Sequence, residues 1–160
     1  MVPEVYHVSK SLEMVLAPHV EQLASKAYKR TVRLRCISPP DMAVGYDYLL
    51  ECEDGSTVEA DLKCAYQAKY TIAPATVQDA MFRAQHGVDL VILTNSKLYY
   101  VTTTSFTSML SQYPPDKPLP ISALDRYSDS SVAITSLDDY QSIEAHALKL
   151  DKLMAQLRET

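Results

Sequence analysis

Residues 89–95 contain an unbroken apolar run, Leu-Val-Ile-Leu, between Asp89 and Thr94. A run of this length and composition is typical of a strand that is buried on both faces of a sheet. Such a strand needs helices packed above and below it. With 160 residues, 47% of them apolar, the chain is large enough to bury a core of this kind as one ordinary domain. We therefore expect residues 1–160 to fold as a single α/β domain.

Patterns on either side of this run predict the other elements. Apolar residues at helical spacing indicate a helix that begins at Ser9 or Ser11 and is kinked, or divided in two, at Pro18. Alternation predicts a strand at residues 31–36 and a hairpin at residues 46–64, and a helix follows at residues 76–87. Further on, we expect a strand at 98–102, a short helix at 105–110, a proline-rich surface connection, a strand at 132–135 and a helix after Asp138. This order predicts a mixed β-sheet flanked by helices, with an αβββαβ core and C-terminal additions.

The hairpin carries Asp61 and Lys63 on one face of its second strand, because side chains alternate between faces. The position of Asp47 depends on the turn. A two-residue type I′ turn at Asp54 and Gly55 would place Asp47 on the opposite face. A three-residue loop with Gly55 in the left-handed conformation would place Asp47 directly across from Asp61, and we favour this register. Two facing carboxylates repel each other, so the arrangement needs a positive group between them, either a metal ion or Lys63.

The succession of Asp47, a hairpin and Asp61-Leu62-Lys63 resembles the motif of PD-(D/E)XK nucleases, which have the restriction-endonuclease-like fold. In that family a helix before the strands often contributes a glutamate, and Glu13 stands in the corresponding helix here. A helix and a buried strand follow the lysine, and residues 87–95 together with 105–106 are similar to Holliday-junction-resolvase and Mrr-type members. Two positions depart from the pattern: Tyr46 replaces the proline of the motif, and Asp61 replaces the commoner glutamate.

The resemblance implies a small endonuclease that uses Mg²⁺ or Mn²⁺ to hydrolyse phosphodiester bonds of DNA. Asp47, Asp61 and the backbone carbonyl of Leu62 would hold the metal, and Lys63 would position the attacking water. Glu13 would be a fourth member of the catalytic group. Some family members place a further polar residue beyond the lysine, and three glutamines are candidates for it: Gln67, Gln78 and Gln85.

Simpler interpretations exist for each of these residues. Asp61 and Lys63 can form a surface salt bridge. Glu13 can be a solvent-facing helix residue, and Glu51 and Glu59 can belong to the solvated side of an amphipathic hairpin. The function has two alternatives as well. One is a catalytically inactive nuclease-fold subunit for nucleic-acid binding or assembly; the other is an α/β interaction protein unrelated to nucleases, which the type I′ register would favour.

The charge distribution bears on the partner of this chain. A formal net charge of −5 argues against a protein that coats nucleic acid nonspecifically. A basic cluster nevertheless lies between residues 26 and 40, and we expect its members Lys29, Arg30, Arg33 and Arg35 to contact backbone phosphates of double-stranded or branched DNA. Cutting two strands usually calls for two active sites, so we expect a homodimer, formed through the C-terminal helix or through an exposed strand at residues 98–102.

Composition excludes other classes and indicates a compartment. With three glycines and no glycine-rich phosphate loop, the chain is neither a dinucleotide-binding protein nor a nucleotide triphosphatase. Its three cysteines, Cys36, Cys52 and Cys64, are scattered and lack zinc-ligand spacing, which indicates a reducing, cytoplasmic location. No segment approaches the roughly 20 apolar residues that cross a bilayer, so we expect no membrane partner.

Overall fold

The computed structural model describes residues 4–38 and 46–159. Within these ranges the helices are α1 (Glu4–Tyr28), α2 (Pro74–Gln85), α3 (Thr103–Gln112), α4 (Ile121–Tyr127) and α5 (Tyr140–Glu159). The strands are β1 (Val32–Ile37), β2 (Tyr48–Cys52), β3 (Thr57–Ala65), β4 (Thr71–Ile72), β5 (Val88–Thr94), β6 (Lys97–Val101), β7 (Leu119–Pro120) and β8 (Ser130–Ala133). None of the helices in these ranges combines the length and the apolar character that crossing a membrane requires.

Six strands form one mixed sheet in the order β1-β2-β3-β5-β6-β8. β3 and β5 are parallel, with α2 connecting them, and the other neighbouring strands are antiparallel. Helices α1 and α5 cover one face of the sheet, and α2, α3 and α4 pack on the other. The predicted mixed sheet with helices on both sides is therefore confirmed. The burial of every residue of β5, which the apolar run predicts, is confirmed too.

Helix α1 is one continuous element rather than two, and it begins before Ser9. Pro18 lies inside it on the exposed side, where its missing N–H removes a single backbone hydrogen bond. The apolar stripe continues through this position, with Leu16 and Val20 fully buried on the sheet. The prediction of a helix divided at Pro18 is wrong because packing of the stripe on both sides of the proline holds the helix together.

The prediction of an exposed strand at residues 98–102 is also wrong. β6 is hydrogen-bonded to β5 on one side and to β8 on the other, so it is an interior strand of the sheet. Leu98, Tyr99, Tyr100 and Val101 are accordingly buried. The strand cannot provide a dimer interface, and the short strand β8 takes the edge position instead.

The proline-rich connection is more structured than an extended surface loop. Leu119 and Pro120 pair with Ile72 and Thr71 in a small separate sheet, and α4 follows them directly. The C-terminal helix forms as predicted, and the first half of its apolar stripe is buried at Ile143, Ala147 and Leu150. The second half is exposed, at 40% for Met154 and 59% for Leu157. The stripe therefore packs on the domain over only part of its length.

Candidate active site

The hairpin between β2 and β3 has the three-residue loop that we favoured. Gly55 has a positive φ of 88°, its N–H donates to the carbonyl of Cys52 at 2.9 Å, and Cys52 N–H donates to the carbonyl of Ser56 at 2.8 Å. Tyr48 pairs with Ala60, so the next position of the same register places Asp47 opposite Asp61. The type I′ alternative, with the two aspartates on opposite faces, is wrong.

Asp47 lies just before β2, at the point along β3 where the pairing of β3 with β2 ends. β2 begins at Tyr48, whereas β3 continues along β5 as far as Ala65, which leaves the end of β3 without β2 beside it. The N–H of Leu62 points to the β2 side of β3 and donates to Asp47 Oδ2 at 2.6 Å. In a strand the N–H and C=O of one residue point to the same side, so the Leu62 carbonyl is directed to the β2 side as well. Asp47 thus takes the place of a strand neighbour for β3.

Glu13 reaches the same place from α1. It is only 3% exposed, so its interpretation as a solvent-facing helix residue is wrong. Its backbone carbonyl accepts from the Tyr48 hydroxyl at 2.8 Å, and its carboxylate pairs with Lys10 Nζ at 3.1 Å. The carboxyl of Asp47 is within hydrogen-bond reach of the carboxyls of both Glu13 and Asp61. Three acidic residues predicted from the sequence are therefore brought together from three elements.

Burial and mutual proximity make these carboxyls hard to ionise. Burial is the main reason that the pKa of Asp47 is raised from 3.8 to about 6, and the neighbouring Glu13 adds to it. Burial likewise raises the pKa of Asp61 to about 7, with the hydrogen bond and charge of Asp47 adding to it and Lys63 partly opposing it. Carboxyls of this kind share protons at neutral pH, or exchange them for another cation.

Lys63 lies beside the aspartates, as its position in the strand predicts. Its Nζ is 3.0 Å from Asp61 Oδ2 and is also hydrogen-bonded to Asp79 of α2. Burial works against the ammonium charge, but Asp61 and Asp79 outweigh it, and the pKa of Lys63 is raised. The side chains of Lys63 and Asp61 are 17% and 9% exposed, so this pair is not a surface salt bridge.

Three residues of the site were missed in the sequence. Asp79 and Arg83 lie four positions apart on α2, and Arg83 Nε is 3.9 Å from Asp61 Oδ2. Lys10 stands three positions before Glu13 on α1 and also donates to the carbonyl of Ser38 at 3.0 Å. Charged pairs at spacings of three and four are the signal that could have pointed to them, but such pairs are common on exposed helix faces.

The three candidate glutamines lie outside this cluster. Gln78 donates to the carbonyl of Pro115 at 3.3 Å, and Gln85 is exposed on α2. Gln67 follows β3 and lines a cleft that also includes Lys63. Among the residues that follow Lys63 in the chain, Asp79 and Arg83 contact Lys63 and Asp61 respectively.

The basic cluster lies mainly at the far end of β1 from the carboxylates. Lys29 and Arg30 form the turn after α1, and Arg30 Nη1 pairs with Asp54 Oδ2 at 3.0 Å. Arg33 is exposed and faces Glu51 across the β1–β2 pair. Arg35, also exposed, lies at a bulge in β1, so the alternation of the strand breaks there and Cys36 is exposed. With about 3.3 Å per strand residue, Arg33 is roughly 13 Å along β1 from the position next to Asp47.

The donors of the site match a divalent cation in their chemistry but not in their arrangement. Carboxylate and carbonyl oxygens at Asp47, Asp61, Glu13 and Leu62 are the ligand types that Mg²⁺ and Mn²⁺ prefer. Across residues 4–38 and 46–159, however, no group of three or more His, Cys, Asp or Glu side chains is arranged to hold a metal ion. The acidic side chains contact one another instead, so their side chains would have to reorient to bind a cation. The chemistry of the donors fits, and their present orientation does not.

Comparison with protein-family models finds no match for this chain, and comparison with curated proteins finds none either. The candidate site therefore stands on its own geometry and chemistry.

The raised pKa values predict how stability depends on pH. Asp47 and Asp61 bind protons more tightly in the folded chain than in the unfolded chain, where the ordinary pKa of 3.8 applies. Their contribution is favourable at low pH and is lost as the pH rises toward their folded pKa values of about 6 and about 7. We expect the free energy of unfolding to fall by ~2 kcal/mol or more across this window, measured by urea unfolding in EDTA.

Asp61→Asn is the variant that tests whether the facing aspartates cause this dependence of stability on pH. It removes one member of the facing pair, so we expect a much flatter dependence between about pH 4 and about pH 7. A wild-type protein that gains stability as the pH rises through the same window would contradict the raised pKa values.

Proposed function

We propose that the chain is a metal-dependent nuclease with a restriction-endonuclease-like fold, which hydrolyses phosphodiester bonds of DNA. The observation that carries the proposal is the meeting of Asp47, Asp61 and Glu13 beside Lys63. Buried carboxyls cost stability when they ionise, since burial removes the water that would solvate their charge. Perturbed acids of this kind, placed next to a charged lysine, are typical of functional sites.

In this proposal Asp47, Asp61 and the Leu62 carbonyl would hold Mg²⁺ or Mn²⁺, which would supply Lewis acidity and lower the pKa of water. The Leu62 N–H orients Asp47 through their 2.6 Å hydrogen bond. Glu13 orients it from the other side, and Lys10 holds Glu13 in turn. Asp47 thus has neighbours on which its carboxylate is held, as ligands in metal sites generally do.

Lys63 acts in this proposal through its charge. Its raised pKa keeps the ammonium protonated at neutral pH, and a protonated lysine cannot remove a proton from water. It can attract a phosphate oxygen, stabilise negative charge as that charge develops, and orient a water molecule. Arg83, which approaches Asp61 to 3.9 Å, adds a second positive charge on the same side.

The partners follow from the charge and the exposed apolar surface. Lys29, Arg30, Arg33 and Arg35 are the proposed contacts to DNA phosphates, although acids stand beside Arg30 and Arg33 and reduce their net field. A homodimer would use the exposed end of α5 outside the cleft, where Leu157 lies. The three cysteines are free thiols, which supports a reducing, cytoplasmic location.

Cleavage assays with defined metals test the proposal. Supercoiled plasmid and a four-way junction are incubated with the protein in Mg²⁺, in Mn²⁺ and in EDTA. We expect nicked or linear products with either metal and none in EDTA. Calorimetric titration of Mn²⁺ into the same protein should show binding; intact DNA together with no heat of Mn²⁺ binding would overturn the proposal.

A second candidate is a nuclease-fold subunit that binds nucleic acid without cutting it. The observation in its favour is that the acids contact one another and Lys63 rather than surrounding a vacant cation position. This candidate predicts DNA binding that is the same in EDTA and in Mn²⁺, with no cleavage in either.

Substitution of Lys63 separates charge stabilisation from metal binding. We expect Lys63→Ala to reduce the cleavage rate by roughly 10²-fold or more, since the ammonium that faces the phosphate is lost. Mn²⁺ affinity should be unchanged or slightly increased, because Asp61 loses a competing cation. Lys97→Ala is the matched control: Lys97 forms an exposed pair with Asp125 at 3.0 Å, away from the site. Equal cleavage rates for both variants would remove Lys63 from the mechanism.

A further inference from the structure

A cleft of about 750 Å³ opens beside the candidate active site, where β3 extends past β2. Its walls are the first turns of α1, the start of α2 and the later turns of α5. The volume lies within the roughly 300–1,000 Å³ that is usual for small-molecule sites. Lys63 and Asp79 line the cleft on the side of the carboxylates, so it is continuous with the proposed position of the scissile phosphate.

The lining suits a nucleobase. Leu62, Leu150 and Met154 offer apolar surface, and Tyr6 offers an aromatic ring. Polar groups that can bond to the edge of a base stand among them, including the Ser9 and Thr76 hydroxyls and the Gln67 amide. A mixture of apolar surface and a few polar groups is what fixes both the affinity and the orientation of a small ligand.

The start of α2 favours a phosphate at the entrance. Ala75 and Thr76, in the first turn of this 12-residue helix, line the cleft, and the N-cap residue Ala73 supplies no side-chain cap. The Thr76 and Val77 N–H groups donate to the Ala73 carbonyl at 3.1 and 3.2 Å, so the first turn contributes the positive end of its dipole on the side of the cleft that Lys63 also lines. A phosphate held near Lys63 would bring its attached nucleoside directly to the cleft.

We infer that the cleft accepts an unpaired nucleotide of the substrate strand, next to the phosphate that is cut. The inference rests on the proposed nuclease function and names its substrate class: a strand with single-stranded character at the cleavage point, as in a free end, a flap or a frayed branch. A base within a duplex is stacked and paired, so it cannot enter a pocket unless it leaves the helix. Binding of a base in the cleft would therefore cost base-pairing energy with duplex DNA but not with a single strand.

Binding measurements without cleavage test this inference. Fluorescence anisotropy in EDTA compares a short labelled single-stranded oligodeoxynucleotide with a blunt duplex of the same sequence. We expect the single strand to bind roughly tenfold more tightly, as one base held in a pocket would give. Ala75→Trp, at an exposed position on the wall of the cleft, should abolish this preference by filling the space. Ala145→Trp, at an exposed position of α5 outside the cleft, should retain it.

A second variant guards against local effects on folding. Gln67→Trp fills the cleft from a turn rather than a helix, and circular dichroism confirms that each variant is folded. Equal binding of single strand and duplex by the wild type, or a preference that survives both filling variants, would overturn the inference. The nuclease proposal can fail separately. If the wild type prefers single strands and Ala75→Trp removes that preference, but the protein cuts no DNA and binds no Mn²⁺, the inference about the cleft stands and the nuclease proposal is wrong.

Discussion

Asp61→Asn is expected to abolish both Mn²⁺ binding and DNA cleavage while leaving the chain folded. The substitution keeps the shape of the side chain but removes the charge that faces Asp47 and pairs with Lys63 at 3.0 Å. A metal ion that relied on two facing aspartates would lose half of their charge. We expect cleavage to fall by roughly 10³-fold or more, because the charge that would hold the ion and the position of Lys63 both depend on this residue.

The same variant should be more stable than the wild type in EDTA at neutral pH. Asp61 has a pKa raised to about 7 by burial and by Asp47, so its ionised form opposes folding there. A gain in stability together with a loss of activity is the behaviour expected of residues that serve a site at the expense of the fold. Calorimetric titration of Mn²⁺, plasmid cleavage and urea unfolding on one preparation measure the three effects.

Glu59→Gln is the matched control for this experiment. Glu59 lies two residues before Asp61 on the same face of β3 and is only half-buried. Its substitution by glutamine removes one negative charge, as Asp61→Asn does. We expect it to bind Mn²⁺ and cleave DNA as the wild type does. Undiminished metal binding by Asp61→Asn would show that the facing aspartates are not the metal site, and the binding-subunit interpretation would replace the enzyme.

Local sequence rules were sufficient for the hairpin and the buried strand. The Glu-Asp-Gly sequence places a glycine where either hairpin loop needs a positive φ, and the three-residue loop that forms, with Gly55 and not Asp54 at positive φ, sets the register that brings Asp47 opposite Asp61. The continuous apolar run predicts β5 because only a strand covered on both faces can bury every side chain. In both cases the information lies within a few neighbouring residues.

Features that depend on distant partners were not predictable in the same way. Glu13 can be buried because its carboxyl interacts with Lys10 and Asp47. Nothing in the helix pattern distinguishes it from a solvent-exposed glutamate. The interior position of β6 depends on β8, about 30 residues further along the chain. The recruitment of Asp79 and Arg83 depends on how α2 packs against β3 and β5, which side-chain spacing alone does not specify.

Asp89, a buried carboxylate outside the candidate active site, shows the contacts of a purely structural acid in this fold. Asp89 is 2% exposed and accepts hydrogen bonds from the Tyr28 hydroxyl, from the Tyr100 hydroxyl at 2.7 Å and from the Thr103 N–H at 3.0 Å. These partners are donors, whereas Asp47 and Asp61 have other acids beside them. Burial raises the pKa of Asp89, but its hydrogen bonds oppose that rise. Asp89 connects α1, β5, β6 and the start of α3, and it has no place in the proposed chemistry.

Asp89→Ala is therefore expected to cost stability and not activity. The substitution leaves the buried Tyr100 hydroxyl and the Thr103 N–H without their acceptor, and it opens a small cavity between α1 and the sheet. We expect a loss of about 3 kcal/mol, which corresponds to a fall in Tm of roughly 10 °C for a domain of this size. Tyr28→Phe removes only one donor and should cost about 1 kcal/mol.

The effect of metal distinguishes the facing aspartates from Asp89 in one set of thermal melts. Saturating Mn²⁺ should raise the Tm of the wild type and of Asp89→Ala by similar amounts, since the ion binds only the folded chain and Asp89 lies outside the site. It should not raise the Tm of Asp61→Asn. A metal-induced shift that disappears in Asp89→Ala, or one that persists in Asp61→Asn, would mean that the cation binds elsewhere than between the facing aspartates.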